Sequence, residues 1–267
     1  MIDPVIPLID VAPLVDGSDV ALVASQIDAA CRRYGFFTIT GHGIAPELRE
    51  TLERRSREFF ALDQTEKSKI AMRHGGRAWR GWFGVGEELT SGVADMKEGV
   101  YFGTELSADD PRVRAGTLLH GANLWPQRPA EFRDAVLHWM EAMDRLSAAL
   151  MRGIAVGLGL NQGYFERDMT AHPTILFRAF RYPAVPTNRS KWGVGEHTDY
   201  GLLTILAQDD SGGLQVRTAD GWVDVPPDPN VLVCNIGDML DRMTAGRYRS
   251  TPHRVLASTV RDRVSFP

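Results

Sequence analysis

Apolar positions recur every three or four residues through the first part of the chain. From Val20 to Tyr34, the residues Leu22, Val23, Ile27 and Ala30 mark one face of a helix, and Gly35 then releases the backbone into Phe36–Thr40, which reads as a strand. Pro46 suits the start of a second helix running to about Ala61, and a short charged helical piece follows Asp63. Between Gly75 and Gly103 the periodicity vanishes. Gly81, Gly84, Gly86, Gly92 and Gly99 stand among Trp79, Trp82 and Phe83, which predicts a long shaped loop with room for short strands. From Ala130 to about Gly157, the positions Phe132, Val136, Trp139, Met143, Leu146, Leu150 and Ile154 keep one apolar stripe along a long helix, the expected backing of a core.

After Pro173 the pattern changes to short β-rich runs. They fall at Thr174–Tyr182, Leu202–Ala207, Leu214–Val216, Trp222–Val225, Val231–Ile236, His253–Ala257 and Arg263–Phe266, and turn residues such as Gly212-Gly213 and Asp220-Gly221 separate them. Evenly punctuated short strands favour a sandwich, jelly roll or barrel. With no internal repeat, linker or low-complexity tract, we expect a single catalytic domain over 1–267: a helix, strand and loop region over 1–128, then the long helix and β core over 129–267. The alternating pattern of Arg263-Val-Ser-Phe-Pro267 resembles an unfinished strand, so the natural chain is expected to continue.

Candidate chemistry concentrates in Gly195-Glu-His197-Thr-Asp199. On extended backbone the period of two turns His197 and Asp199 to one face and Thr198 to the other. Two histidines and one carboxylate on a triangular face are the ligand set of non-haem iron(II) oxygenases, which keep positions open for substrate and oxygen, and His253 is the best candidate for the third ligand. A His-x-Asp triplet alone occurs by chance. A second motif raises its meaning: ten residues beyond His253 stands Arg263-Val-Ser265, whose side chains also share a strand face. A turn near Thr259–Asp262 would return Arg263 on a strand neighbouring that of His253, close to the metal. A planar guanidinium makes two charge-assisted hydrogen bonds to a carboxylate, and a serine hydroxyl adds another.

At these residues the sequence resembles the isopenicillin N synthase-like 2-oxoglutarate and Fe(II)-dependent dioxygenases. The resemblance spans nearly the whole chain through Val5-Ile-Pro-Leu-Ile-Asp10, Tyr34-Gly-Phe-Phe to His42-Gly, the His197 block, Gly213-Leu-Gln215, Asn235-Ile-Gly-Asp238 and the His253 block. It implies a mixed, mainly β fold: a distorted double-stranded β-helix (jelly roll) with flanking α-helices, the long one packed behind it. It also implies that His197, Asp199 and His253 bind iron, that Arg263 and Ser265 hold the far carboxylate of 2-oxoglutarate, and that Tyr182 touches 2-oxoglutarate or substrate. The family oxidises small molecules by hydroxylation, desaturation or ring formation, using O2 and releasing succinate and CO2. The chain departs from the family pattern by stopping after Phe266-Pro267, before a segment that helps cover the site in relatives. Trp82 and Phe83, among the glycines, are candidate pocket-lining residues, and Arg181 is a candidate substrate contact. His42, His74, His120, His138 and His172 form no close ligand spacing, and Gly81-Trp-Phe-Gly84-Val-Gly86 lacks the Lys-Ser or Lys-Thr of a phosphate loop.

Composition adds limits. With 43% hydrophobic and 24% charged residues the chain is of ordinary globular type, and its net charge of -4 supplies no basic field for nucleic acid or anionic lipid. The acid- and proline-bearing start does not resemble a secretion signal, and no apolar run reaches the length of a membrane span. Cys31 and Cys234 are far apart and form no Cys-x-x-Cys pair. A cytoplasmic enzyme of small, secondary metabolites is the expectation, with no nucleic-acid or membrane partner and an oligomeric state left open. Two rivals stand beside it: an iron oxidase or oxidative cyclase of the same family that dispenses with 2-oxoglutarate, and a jelly-roll binding protein without catalysis.

Overall fold

The computed structural model describes residues 6–185 and 192–267; Val5 of the first motif, and the rest of the acid- and proline-bearing start up to it, lie outside the described residues. The chain begins with β1 (Leu8–Asp10), α1 (Ala12–Val15), α2 (Val20–Arg33), β2 (Phe36–Thr40), α3 (Pro46–Phe60) and α4 (Gln64–Ser68). Local chemistry sets these limits. Asp19 and Asp63 accept hydrogen bonds from the backbone N–H groups of Leu22 and Glu66, at 3.0 and 2.9 Å, capping α2 and α4. Pro46 occupies the first turn of α3, where its missing N–H costs nothing.

Next come β3 (Gly81–Phe83), the hairpin β4 (Leu89–Thr90) and β5 (Val93–Ala94), β6 (Glu98–Gly103) and α5 (Pro111–Arg114). The glycine-rich stretch is therefore more regular than the loop expected from it, since β3 and β6 pair inside the large sheet. Gly99 explains why composition misleads here. A Cβ at Gly99 would lie 2.5 Å from the Phe180 ring and 2.8 Å from that of Phe83, so this glycine makes room for aromatic packing within a strand.

The long helix α6 (Phe132–Gly157) and the short α7 (Tyr164–Asp168) lead into β7 (Leu176–Tyr182), β8 (Trp192–His197), β9 (Leu203–Gln208), β10 (Leu214–Thr218), β11 (Gly221–Asp224), β12 (Leu232–Ile236), α8 (Asp238–Met243), β13 (His253–Leu256) and β14 (Arg263–Phe266). They build an eight-stranded sheet, ordered β1-β2-β12-β9-β14-β7-β6-β3, and a four-stranded sheet, ordered β11-β10-β13-β8. This is the jelly roll expected from the sequence, with flanking helices.

Strand alternation gives the large sheet two different faces. Phe177, Ala179, Val264, Phe266, Cys234 and Ile236 join the main core with Trp139, Leu146 and Leu150 of α6. Phe83, Phe180, Tyr182 and Val233 point the other way and fill the space between the sheets with Val194, Leu214, Val216 and Val255. At roughly 25 cal/mol per Å2 of apolar surface, the outer layer fixes the position of the sheet, and the inner layer shapes the chamber between sheets. One expectation needs correction. β13 lies in the small sheet and β14 in the large one, so the link after His253 crosses the barrel, and Arg263 faces the metal-binding strands instead of pairing beside them.

Candidate metal centre

His197 ends β8 and His253 begins β13, and the two are register partners in the small sheet. Their rings are 4.3 Å apart between centroids. Asp199 stands beyond the end of β8, where the Asp238 N–H donates to its backbone carbonyl at 2.7 Å. Ligand atoms of the three side chains all lie within 4.8 Å of one another. His253 Nε2 is 3.9 Å from Asp199 Oδ1.

The surrounding hydrogen bonds select which atoms are free. His197 Nδ1 lies 2.8 Å from the Gly195 carbonyl, and His253 Nδ1 lies 3.2 Å from that of Thr251. A carbonyl only accepts, so each Nδ1 carries the proton and donates, which leaves both Nε2 lone pairs for a metal. Asp199 Oδ2 accepts from Thr204 Oγ1 at 2.6 Å and from Asn235 Nδ2 at 2.8 Å, leaving Oδ1 toward His253. Burial alone would raise the Asp199 carboxyl, but His253, Asn235, Thr204 and His197 together hold it below its usual range. Burial, and then the His197 ring, push His253 below the ordinary imidazole range against the opposing pull of Asp199. Two imidazole nitrogens beside a carboxylate oxygen suit iron(II).

On the facing wall Arg263 is 1% exposed. Its Nε donates to the Gly212 carbonyl at 2.9 Å, and its Nη2 lies 3.3 Å from Gln208 Oε1. Nη1 is buried without a hydrogen-bond partner, and among the described residues no carboxylate pairs with this guanidinium. The Tyr182 ring centroid lies 4.9 Å from the guanidinium carbon, and Ser265, also buried, sits opposite Gln208 and Phe180 in the sheet register. A buried cation that lacks an anion carries a desolvation cost, which a ligand carboxylate would offset. His253 meets Phe36 edge-on at 5.2 Å, and Phe36 belongs to the same interior cluster as Tyr182.

Comparison with known proteins agrees with this geometry. Residues 6–128 match the family model for the N-terminal region of non-haem dioxygenases of morphine synthesis, and residues 172–267 match that of the 2OG-Fe(II) oxygenase superfamily. The chain belongs to the 2OG-Fe(II) oxygenase superfamily. It is 49% identical to a probable iron/ascorbate oxidoreductase of Dictyostelium discoideum, over 92% of this chain and 74% of that protein. A homoarginine-6-hydroxylase of Glycine max is 38% identical over 97% of this chain and 83% of its own. A 1-aminocyclopropane-1-carboxylate oxidase of Dictyostelium mucoroides is 35% identical over 98% and 80%. The crystal structure of a full-length Neurospora crassa protein in complex with alpha-KG superimposes with a TM-score of 0.85 at 29% identity, covering 100% of this chain and 85% of that one. The protein is thus an oxidoreductase that uses Fe(II) and 2-oxoglutarate.

Three candidates of this oxygenase have different surroundings. Phe83 lies in the interior cluster, edge-on to Tyr101 and Phe180 at 5.3 and 6.2 Å. Trp82, one residue earlier, lies on the opposite face in the main core, and its indole N–H donates to Glu98 at 3.0 Å. Arg181 likewise points away from the face of Phe180 and Tyr182. It pairs with Glu98 at 2.6 Å and Asp262 at 2.6 Å, so it ties β7 to β6 and to the turn before β14 and has two anions already. Sequence reasoning does not single out Thr204, Gln208 or Asn235. Asn235 stands in one of the motifs that carry the family resemblance, but neither its composition nor its spacing reveals that it holds Asp199.

Proposed function

We propose that this oxygenase binds Fe(II) through His197 Nε2, His253 Nε2 and Asp199 Oδ1, holds 2-oxoglutarate through Arg263 and Ser265, and hydroxylates a small polar metabolite. The overall reaction would join R–H, O2 and 2-oxoglutarate to give R–OH, succinate and CO2. The observation that carries the reading is the buried Arg263 guanidinium, on the sheet opposite the strands of His197 and His253, with one nitrogen unpartnered. Bound iron and its co-substrate supply the oxygen chemistry. The chain's own part is positional: Gly195 and Thr251 fix the imidazole orientations, Asn235 and Thr204 fix the carboxylate, and Tyr182 covers the arginine. Phe83 and its aromatic neighbours keep the chamber wall dry.

Two of the relatives are named for amino acids, which makes free amino acids the first compounds to screen. The same reading places a single catalytic unit in the cytoplasm, in secondary metabolism. Its two free, buried cysteines and its need for ferrous iron support a reducing compartment.

The test is anaerobic titration of the Fe(II) protein with 2-oxoglutarate, followed by an amino-acid screen scored by succinate release. Arg263→Ala should weaken 2-oxoglutarate by roughly thirty- to a thousandfold, the equivalent of about 2–4 kcal/mol, with iron content unchanged. Wild-type protein that neither binds nor consumes the diacid would transfer the assignment to an oxidase of the 1-aminocyclopropane-1-carboxylate kind.

A further inference from the structure

Behind Arg263 stands a second buried charge, Asp209, whose side chain is 2% exposed. It follows Gln208, the register partner of Ser265, and strand alternation turns it away from the chamber toward α3. There Oδ2 accepts from Arg57 Nη2 at 2.8 Å and from the backbone N–H of Val264 at 2.8 Å, while Oδ1 accepts from the Ser211 N–H at 2.9 Å. The Asp209 N–H donates to the Val264 carbonyl at 3.3 Å, so this one residue holds both backbone polar groups of Val264.

These contacts surround the guanidinium. Val264 separates Arg263 from Ser265, and Ser211 precedes Gly212, whose carbonyl accepts from Arg263 Nε at 2.9 Å. Gln208, on the other side of Asp209, brings Oε1 within 3.3 Å of Arg263 Nη2, and its own Nε2 donates to the Pro226 carbonyl at 3.4 Å. The turn between them places Gly212 at φ +76°, a conformation that glycine adopts at little cost. The β14 backbone, the Gly212 carbonyl and the Gln208 amide together aim the Arg263 fork. Each is either bonded to Asp209 or within three residues of it in the chain. The charges are kept apart as well: Asp209 pairs with Arg57 on the α3 side, which leaves the charge of Arg263 for a ligand.

We propose that Asp209 is a positioning residue for the co-substrate. It does not touch 2-oxoglutarate; it fixes β14 and the turn over 209–212 so that Arg263 is presented to the far carboxylate of the diacid. This rests on the role given to Arg263 above. The ionised group matters as much as its shape. Three donors converge on Asp209, and a carboxylate accepts from all of them. An amide of the same size turns its NH2 either toward Val264 and Arg57 or toward Ser211, sets donor against donor, and loosens β14 beside the arginine.

The experiment titrates anaerobic Fe(II) protein by calorimetry with 2-oxoglutarate and with 2-oxopentanoate, a five-carbon 2-oxo acid in which a methyl group replaces the far carboxylate. Wild type should prefer the diacid. Asp209→Asn should weaken 2-oxoglutarate by about tenfold and leave 2-oxopentanoate within about twofold, because only the diacid reaches Arg263. In an Arg263→Ala background the same substitution should cause no further loss, the signature of a residue that acts through the arginine. Arg57→Met, which keeps the Val264 and Ser211 bonds, should show the same selectivity at about threefold, and it decides the matter if Asp209→Asn does not fold. Equal weakening of both acids would reduce Asp209 to a folding role and overturn the proposal. So would unchanged 2-oxoglutarate affinity in the folded variants, or a full additional loss in the Arg263→Ala background. A wild type that does not distinguish the two acids would instead remove the role of Arg263 itself, and this inference with it.

Discussion

Replacing Asn235 with Leu removes one of the two hydrogen bonds that hold Asp199 Oδ2 while keeping the branched side-chain shape. The lost bond is 2.8 Å long and has an ionised acceptor; the Thr204 hydroxyl, at 2.6 Å, remains. A hydrogen bond to a charged group contributes about 1.5–3 kcal/mol, or roughly ten- to a hundredfold in a binding constant. Because Thr204 still orients the oxygen, Asn235→Leu should weaken metal by about tenfold, at the low end of that range. Adding Thr204→Val frees the carboxylate to rotate, so the double variant should lose more than the two single losses combined. The pH response has a definite sign. Burial favours the protonated acid, and Asn235 is among the groups that oppose it. Without Asn235 the carboxyl titrates at higher pH, and metal binding fails earlier on acidification. Anaerobic calorimetry with Fe(II) at several pH values measures both effects, with near-ultraviolet circular dichroism as the check on folding. Affinity within twofold of wild type at every pH, in folded Asn235→Leu protein, would refute the assigned role.

The other predictions separate packing from chemistry. Arg181→Met should lower stability by about 1–3 kcal/mol in chemical denaturation, because Glu98 keeps Lys67 at 2.8 Å but loses its second cation; 2-oxoglutarate affinity should stay constant. The depressed His253 makes the folded apo-protein bind fewer protons than the unfolded chain as pH falls below the ordinary imidazole value of about 6.5. Its contribution is therefore complete above that value and lost as pH drops through the folded one, so apo-protein melting temperature should decline over that window, less steeply in His253→Gln. Trp82→Phe should cost about 1.5–3 kcal/mol for its bond to the Glu98 carboxylate and leave turnover unchanged, whereas Phe83→Ala should cost about 3–5 kcal/mol and alter substrate affinity, as denaturation and steady-state kinetics would report.

The contrast between Trp82 and Phe83 shows what a sequence can carry and where it stops. Side-chain chemistry and strand period are local properties, so the convergence of His197 with Asp199 and the pairing of Arg263 with Ser265 are legible from residue order alone. Helix limits are legible for the same reason, since Asp19, Pro46 and Asp63 act within one turn of their own positions. Which face of a strand meets the chamber depends instead on its partners. Trp82 and Phe83 have similar composition and adjacent places, yet the β3–β6 register sends one indole to the helices and one ring into the barrel. Arg181 suffers the same ambiguity: Phe180 and Tyr182 on either side face inward, so the arginine must face outward, where Glu98 and Asp262 meet it. The ten-residue step from His253 to Arg263 is equally silent about crossing from one sheet to the other. That crossing is what makes the spacing useful. A neighbouring strand would put the guanidinium beside the histidines, whereas the crossing puts it on the opposite sheet, as the proposed 2-oxoglutarate site requires.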